Sequence, residues 1–131
     1  MGALALDASV AIGLLDSADA HHERAVAILE EHTRSSLLMA ASAYSEALVR
    51  PLAKGLEDAV EEFVFSLNVE IVPADRDIAR RAAYLRVEHR ALRLPDALVV
   101  ATAQARDVSL LTFDDRLTRL ARKGEDGRTQ S

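Results

Sequence analysis

A chain of 131 residues, half of them hydrophobic, with no cysteine and a net charge of −5, is sized for one domain with its own core. These numbers exclude a disulfide scaffold, cysteine-ligated zinc or iron–sulfur sites, and simple capture of nucleic acid by a basic surface. No apolar run is long enough to span a bilayer, and the opening MGALALD lacks the regions of a signal peptide, so a cytoplasmic protein without membrane contact is expected.

Residues 3–6 read as a short buried strand, with Ser9 as N-cap of the helix behind it. Ala25, Ile28 and Leu29 mark a helix, and residues 37–40 a second strand, followed by Ser42 as the next N-cap. Leu56, Ala59, Val60, Phe63, Val64 and Leu67 keep the spacing of an amphipathic helix. A third strand at 69–72 leads to Asp75 as N-cap of a helix carrying Ile78, Ala82 and Leu85. Pro95 suits the first turn of the helix through residues 97–103, and residues 109–112 form the fourth strand. From Lys123 the chain turns polar, which divides it into a domain of residues 1–122 and a tail of 123–131. Short apolar strands alternating with helices predict an α/β domain with a largely parallel sheet.

Four acids interrupt apolar sequence at element ends: Asp7 in ALALDASVA, Glu46 in AYSEALV, Asp96 in RLPDALVVATA and Asp114 in SLLTFDD. Asp7 follows the first strand and Asp114 the fourth, while Glu46 and Asp96 are expected in the first turns of their helices. In an open parallel sheet, the carboxyl ends of the strands border the ligand crevice. If the first and fourth strands are neighbours, Asp7 and Asp114 share that crevice, and the other two acids reach it from helix N-termini. Two such charges about 5 Å apart repel by roughly 3 kcal/mol at an effective dielectric near 20. A hard cation relieves this, and oxygen-only ligands point to Mg²⁺ or Mn²⁺, ions that serve phosphoryl chemistry. A single acid near a helix start is more often a cap, whereas four at one edge of the sheet point to a shared ligand.

Other chemistries fit poorly. The haloacid-type phosphatase pattern needs an Asp where Ser9 stands, and a receiver domain needs a lysine after the last strand. There is no P-loop, dinucleotide fingerprint or nucleophile elbow. His21 and His22 read as a surface pair at a helix start, and His32 and His89 as helix-face residues. Asp115 reads as a helix-start residue rather than a further metal-shell acid.

The ordered motifs resemble the PIN-domain ribonucleases and, within them, VapC toxins of toxin–antitoxin pairs. The resemblance is carried by DASV at 7–10, HHERA at 21–25, SEAL at 45–48, LPDALVVATA at 94–103 and LTFD at 111–114. It implies a three-layer α/β/α fold with a parallel sheet ordered 3-2-1-4, and Mg²⁺- or Mn²⁺-dependent cleavage of RNA. It also implies a VapB-type antitoxin that blocks the site, and a homodimer. Asp7, Glu46, Asp96 and Asp114 match the family's catalytic quartet, with Asp7, Asp96 and Asp114 as the metal ligands. Ser9 and Thr112 match its hydroxyl positions, which orient the carboxylates from behind. Many relatives add a fifth strand after the fourth acid, where RLTRLARKGEDGRTQS offers a helix and a polar tail.

Arg50, Lys54, Arg86, Arg93 and Arg116 are candidate phosphate contacts. Two readings compete with an endoribonuclease. A non-catalytic PIN-fold module would be expected to have lost an acid. A flap-type DNA nuclease would need an inserted arch for which this chain is too short.

Overall fold

In the computed structural model, the backbone is described for residues 2–130 and side chains through Arg122, so the expected division at residue 123 lies outside the described side chains. Strand β1 (Ala3–Leu6) leads into α1 (Ala8–Leu15) and α2 (His22–Glu31); β2 (Ser36–Ala40) leads into α3 (Ala41–Lys54) and α4 (Glu57–Ser66). Next come β3 (Glu70–Val72), α5 (Arg76–Glu88), α6 (Leu94–Arg106), β4 (Ser109–Leu111) and α7 (Asp115–Gln130). Among the described residues the four strands form one parallel sheet in the order β3-β2-β1-β4, with no fifth strand.

That order locates the site. From β1 the chain steps to β2 and β3, then crosses back through α5 and α6 to β4 on the far side of β1. Right-handed crossovers running in opposite directions place their helices on opposite faces, giving the α/β/α layers. The reversal falls between β1 and β4, where Leu6 pairs with Leu111 and the Asp7 N–H extends the ladder to the Leu111 carbonyl at 2.9 Å. The sheet's hydrophobic residues join a core that includes Leu6, Met39, Val72 and Leu110. Helix α6 is the most enclosed: Ala97 and residues 99–103 are all buried, so it reads as apolar around most of its circumference. Among the described residues, no helix is long and apolar enough to cross a membrane.

Helix starts depart from expectation at two places. Ser9 lies inside α1, whose N-cap position is Asp7, and Ser42 lies inside α3, which follows β2 without a loop at Ala40. Because α3 begins that early, Glu46 falls in its second turn, where the N-terminal dipole has faded. Asp75 does cap α5, accepting from the Ile78 N–H at 2.9 Å. His32 and His89 are the C-cap residues of α2 and α5, not members of a helix face.

Helices α1 and α2 meet closely. A Cβ on Gly13 would stand 3.0 Å from the Ala25 Cβ, and the His22 Nδ1 contacts the Gly13 carbonyl at 2.7 Å. The first turn of α2 is thereby fixed against α1.

Candidate active site

Asp7 occupies the cap position of α1 yet makes no side-chain cap bond. Its Oδ2 instead accepts from the Thr112 hydroxyl at 2.7 Å and the Ser9 hydroxyl at 3.0 Å. Ser9 Oγ in turn accepts from the Phe113 N–H at 3.2 Å, and Thr112 Oγ1 from the Asp114 N–H at 3.1 Å. This mesh joins the ends of β1 and β4 and leaves Asp7 Oδ1 without a hydrogen bond among the described residues. Asp7 is 7% exposed, and among the described residues it is the one charged side chain that is buried. No arginine, lysine or histidine forms an ion pair with it there. A buried carboxylate held only by hydroxyls is a costly arrangement unless something cationic joins it.

The other acids surround it electrostatically. Partial burial first, then the charges of Asp96 and Asp7, hold the Glu46 carboxyl above the usual range, with Arg93 pulling the other way. Asp96 is also raised, by burial and then by Asp7, with a further push from Asp114; Arg93 and Arg116 oppose. Asp96 therefore responds to Asp7 and Asp114, and Glu46 to Asp96 and Asp7. Pro95 starts α6 and sets Asp96 in its first turn. Asp114 divides its oxygens: Oδ1 accepts from the Arg116 N–H at 2.9 Å at the start of α7, while Oδ2 has no hydrogen bond among the described residues.

The structure thus brings the four acids into mutual influence, but no three acidic or histidine side chains among the described residues form a ready-made metal cage. The donor set still suits a hard cation. It is all oxygen, and Mg²⁺ commonly takes one or two carboxylates directly while keeping several waters. Asp7 Oδ1 and Asp114 Oδ2 are available, and burial first, then repulsion from neighbouring acids, raises the other two carboxyls.

The candidate cations divide. Arg93 and Arg116 act on the acids through their charge, without an ion pair among the described residues. Arg50 and Lys54 line a groove of about 650 Å³ beside Glu46, floored by Ile12, Leu15 and Val60. Arg86 donates through Nε to the Leu92 carbonyl at 3.2 Å, which ties α5 to the segment before α6. His22 is held by Gly13, whereas the His21 ring lies 4.8 Å from the Phe113 ring and the Arg24 guanidinium 4.9 Å above Phe113. Sequence reasoning missed Phe113 and Arg24, because a lone aromatic between two polar residues and one arginine in a helix give no periodic signal.

The model of the PIN domain family matches residues 4–123. No curated protein matches the chain. Among solved structures, VapC20 of Mycobacterium tuberculosis, described as a Sarcin-Ricin loop cleaving toxin, superposes with a TM-score of 0.75 at 17% identity, over 88% of this chain and 93% of that one. A toxin–antitoxin complex from Klebsiella pneumoniae aligns at 26% identity and a TM-score of 0.72, covering 86% of this chain and 88% of its own. FitAcB from Neisseria gonorrhoeae aligns at 20% identity and 0.72, covering 91% and 93%. At these identities, VapC20 and FitAcB show likeness of fold.

Proposed function

On the premise that the chain belongs to the PIN-domain family, we propose that it is a divalent-metal-dependent endoribonuclease and the toxin of a toxin–antitoxin pair, acting in the cytoplasm. The observation that carries this reading is the state of Asp7: buried, without a cationic side-chain partner among the described residues, and gripped on one oxygen by two hydroxyls.

In this reading Asp7, Asp96 and Asp114 hold Mg²⁺ or Mn²⁺, and Glu46 completes the catalytic quartet. Such an ion, when bound, supplies charge neutralisation at a phosphodiester and Lewis acidity toward water. Ser9 and Thr112 fix Asp7 Oδ2 and so set the direction of Oδ1. Glu46, whose carboxyl is held above its usual range, is suited to take up and return a proton. Arg93 and Arg116 offset the acids, which favours approach of a phosphate that bare carboxylates would repel. The groove beside Glu46, with exposed Val49 and Leu56 near Lys54, suits an antitoxin segment that seals the crevice. A homodimer belongs to the same reading and is checked by sedimentation.

The deciding experiment compares wild type with Asp7→Asn on single-stranded RNA and matched DNA, with and without Mn²⁺. We expect wild type to cut RNA only with metal, leaving 5′-phosphate ends, and Asp7→Asn to be folded and inactive. Equal cutting of DNA would move the assignment to a DNA nuclease. RNA binding without cleavage at millimolar metal would make it a binding module, the reading that the lack of a ready-made cage favours.

A further inference from the structure

We propose that His21, Arg24 and Phe113 form a stacking subsite that seats one nucleotide of single-stranded RNA beside the acid crevice, an inference that rests on the nuclease reading. Phe113 stands between Thr112 and Asp114, and its N–H is bonded to Ser9 Oγ, so its backbone belongs to the mesh that holds Asp7. Its half-buried ring packs against the core on one side. Elsewhere on the ring, the imidazole of His21 lies at 4.8 Å with a 30° tilt, and the guanidinium of Arg24 at 4.9 Å. Both of those side chains are exposed.

Neither is committed elsewhere. Among the described residues, Arg24 has no carboxylate partner and the His21 ring has no hydrogen bond. Their positions are nevertheless fixed. The His21 N–H donates to Asp19 Oδ2 at 2.9 Å, its carbonyl accepts from the Ala25 N–H at 2.9 Å, and Ala25 abuts Gly13. The result is an exposed aromatic surface carrying a guanidinium with no carboxylate partner among the described residues, one residue from two of the crevice's polar groups.

An RNA base fits this surface. The chain carries a net charge of −5 and its crevice is acidic, so the substrate's anionic backbone needs help from elsewhere. Stacking on an aromatic face holds a base without sequence preference, and an arginine alongside adds a phosphate contact. Ser9 and Thr112 set the acids at one end of this stretch, while Phe113 sets the base at the other.

The test uses full-length Asp7→Asn protein and a short fluorescein-labelled single-stranded RNA, read by anisotropy. His21→Ala and Phe113→Leu should each weaken binding about tenfold, and Arg24→Gln should flatten the salt slope by about 0.7. Scanning one abasic nucleotide along the RNA should reveal a position whose loss weakens parent binding but not His21→Ala binding. In the otherwise wild-type enzyme, Arg24→Gln should raise KM with kcat little changed. Unchanged RNA affinity in all three variants overturns the subsite, as does weakening matched only by a fall in Tm with no position-specific abasic effect. If wild type cleaves RNA while the variants bind as the parent does, the subsite falls and the nuclease reading stands. A wild type that cleaves no RNA overturns both.

Discussion

At the β3 edge of the sheet, Glu70 meets Arg106 in a two-pronged ion pair, with N–O distances of 3.0 and 2.5 Å. That guanidinium holds the Glu70 carboxyl below its usual range. At the β1–β4 edge, Glu46 and Asp96 are held above theirs, by burial and by one another's neighbours. The same residue types thus live under opposite regimes in one small sheet. Where an acid serves the fold, an arginine fork answers it. Where the acids gather around Asp7, the described partners are hydroxyls and other carboxylates, and the nearby arginines act from a distance. A fold that pairs an acid with an arginine fork on one side and, among the described residues, leaves the acids on the other without an ion pair has a place for a cation from solution.

Dications should separate the two edges most sharply. Adding Mn²⁺ at about 100 times its dissociation constant should stabilise wild type by about 2.7 kcal/mol. Asp7→Asn should lose most of that gain in thermal melts, and Glu70→Gln should keep it. A gain that survives Asp7→Asn would place the ion elsewhere.

Next in size is the hydroxyl at 2.7 Å from Asp7 Oδ2. Thr112→Val keeps the volume but removes the donor, and cleavage should fall by about 10–100-fold. Thr112→Ser should restore much of it, and equal loss in both variants would argue that the methyl matters instead.

A smaller effect tests the cost of burying Asp96 beside other acids. A carboxyl whose folded pKa is raised favours the protonated fold. Its stabilising contribution is full below the unfolded value, about pH 4, and is lost as pH rises through the higher folded value. Metal-free Asp96→Asn should therefore be more stable than wild type at neutral pH, by up to about 1 kcal/mol after solvent screening. The advantage should vanish in acid. A destabilised Asp96→Asn would show that its charge is already compensated.

Glu70 should behave with the reverse sign and the least amplitude. Its lowered pKa contributes stability above the unfolded value that disappears as pH falls through the folded one. The pair is exposed, so Glu70→Gln should cost at most about 1 kcal/mol at neutral pH.

Much of this contrast was legible in the residues. Strand β1 was read at its observed bounds, Ala3–Leu6, and the 3-2-1-4 order followed from the family resemblance. Acids embedded in apolar runs pointed to the crevice because burying an uncompensated charge is expensive wherever it occurs. Local capping was less legible. Ser9 and Ser42 looked like caps, but Ser9 serves Asp7, and the Ser42 hydroxyl instead points to the Pro95 carbonyl at 3.4 Å. Glu46 was placed one turn too early because nothing in MAASAYSE announces that strand passes into helix without a loop. The Phe113 cluster was invisible for a different reason: its partners lie some 90 residues earlier in the chain, and only the tertiary fold joins them.

The contact between Gly13 and Ala25 sets a tolerance for the whole assembly. Ala25 has no rotamer to yield, so even one methyl at residue 13 would force α2 to back away by a few tenths of an ångström. Asp7 lies before α1 and would hold its place, while His21 and Arg24 would shift with their helix. On the proposed reading, a change to a residue outside both the acid crevice and the Phe113 surface would then offset one against the other by that same small step.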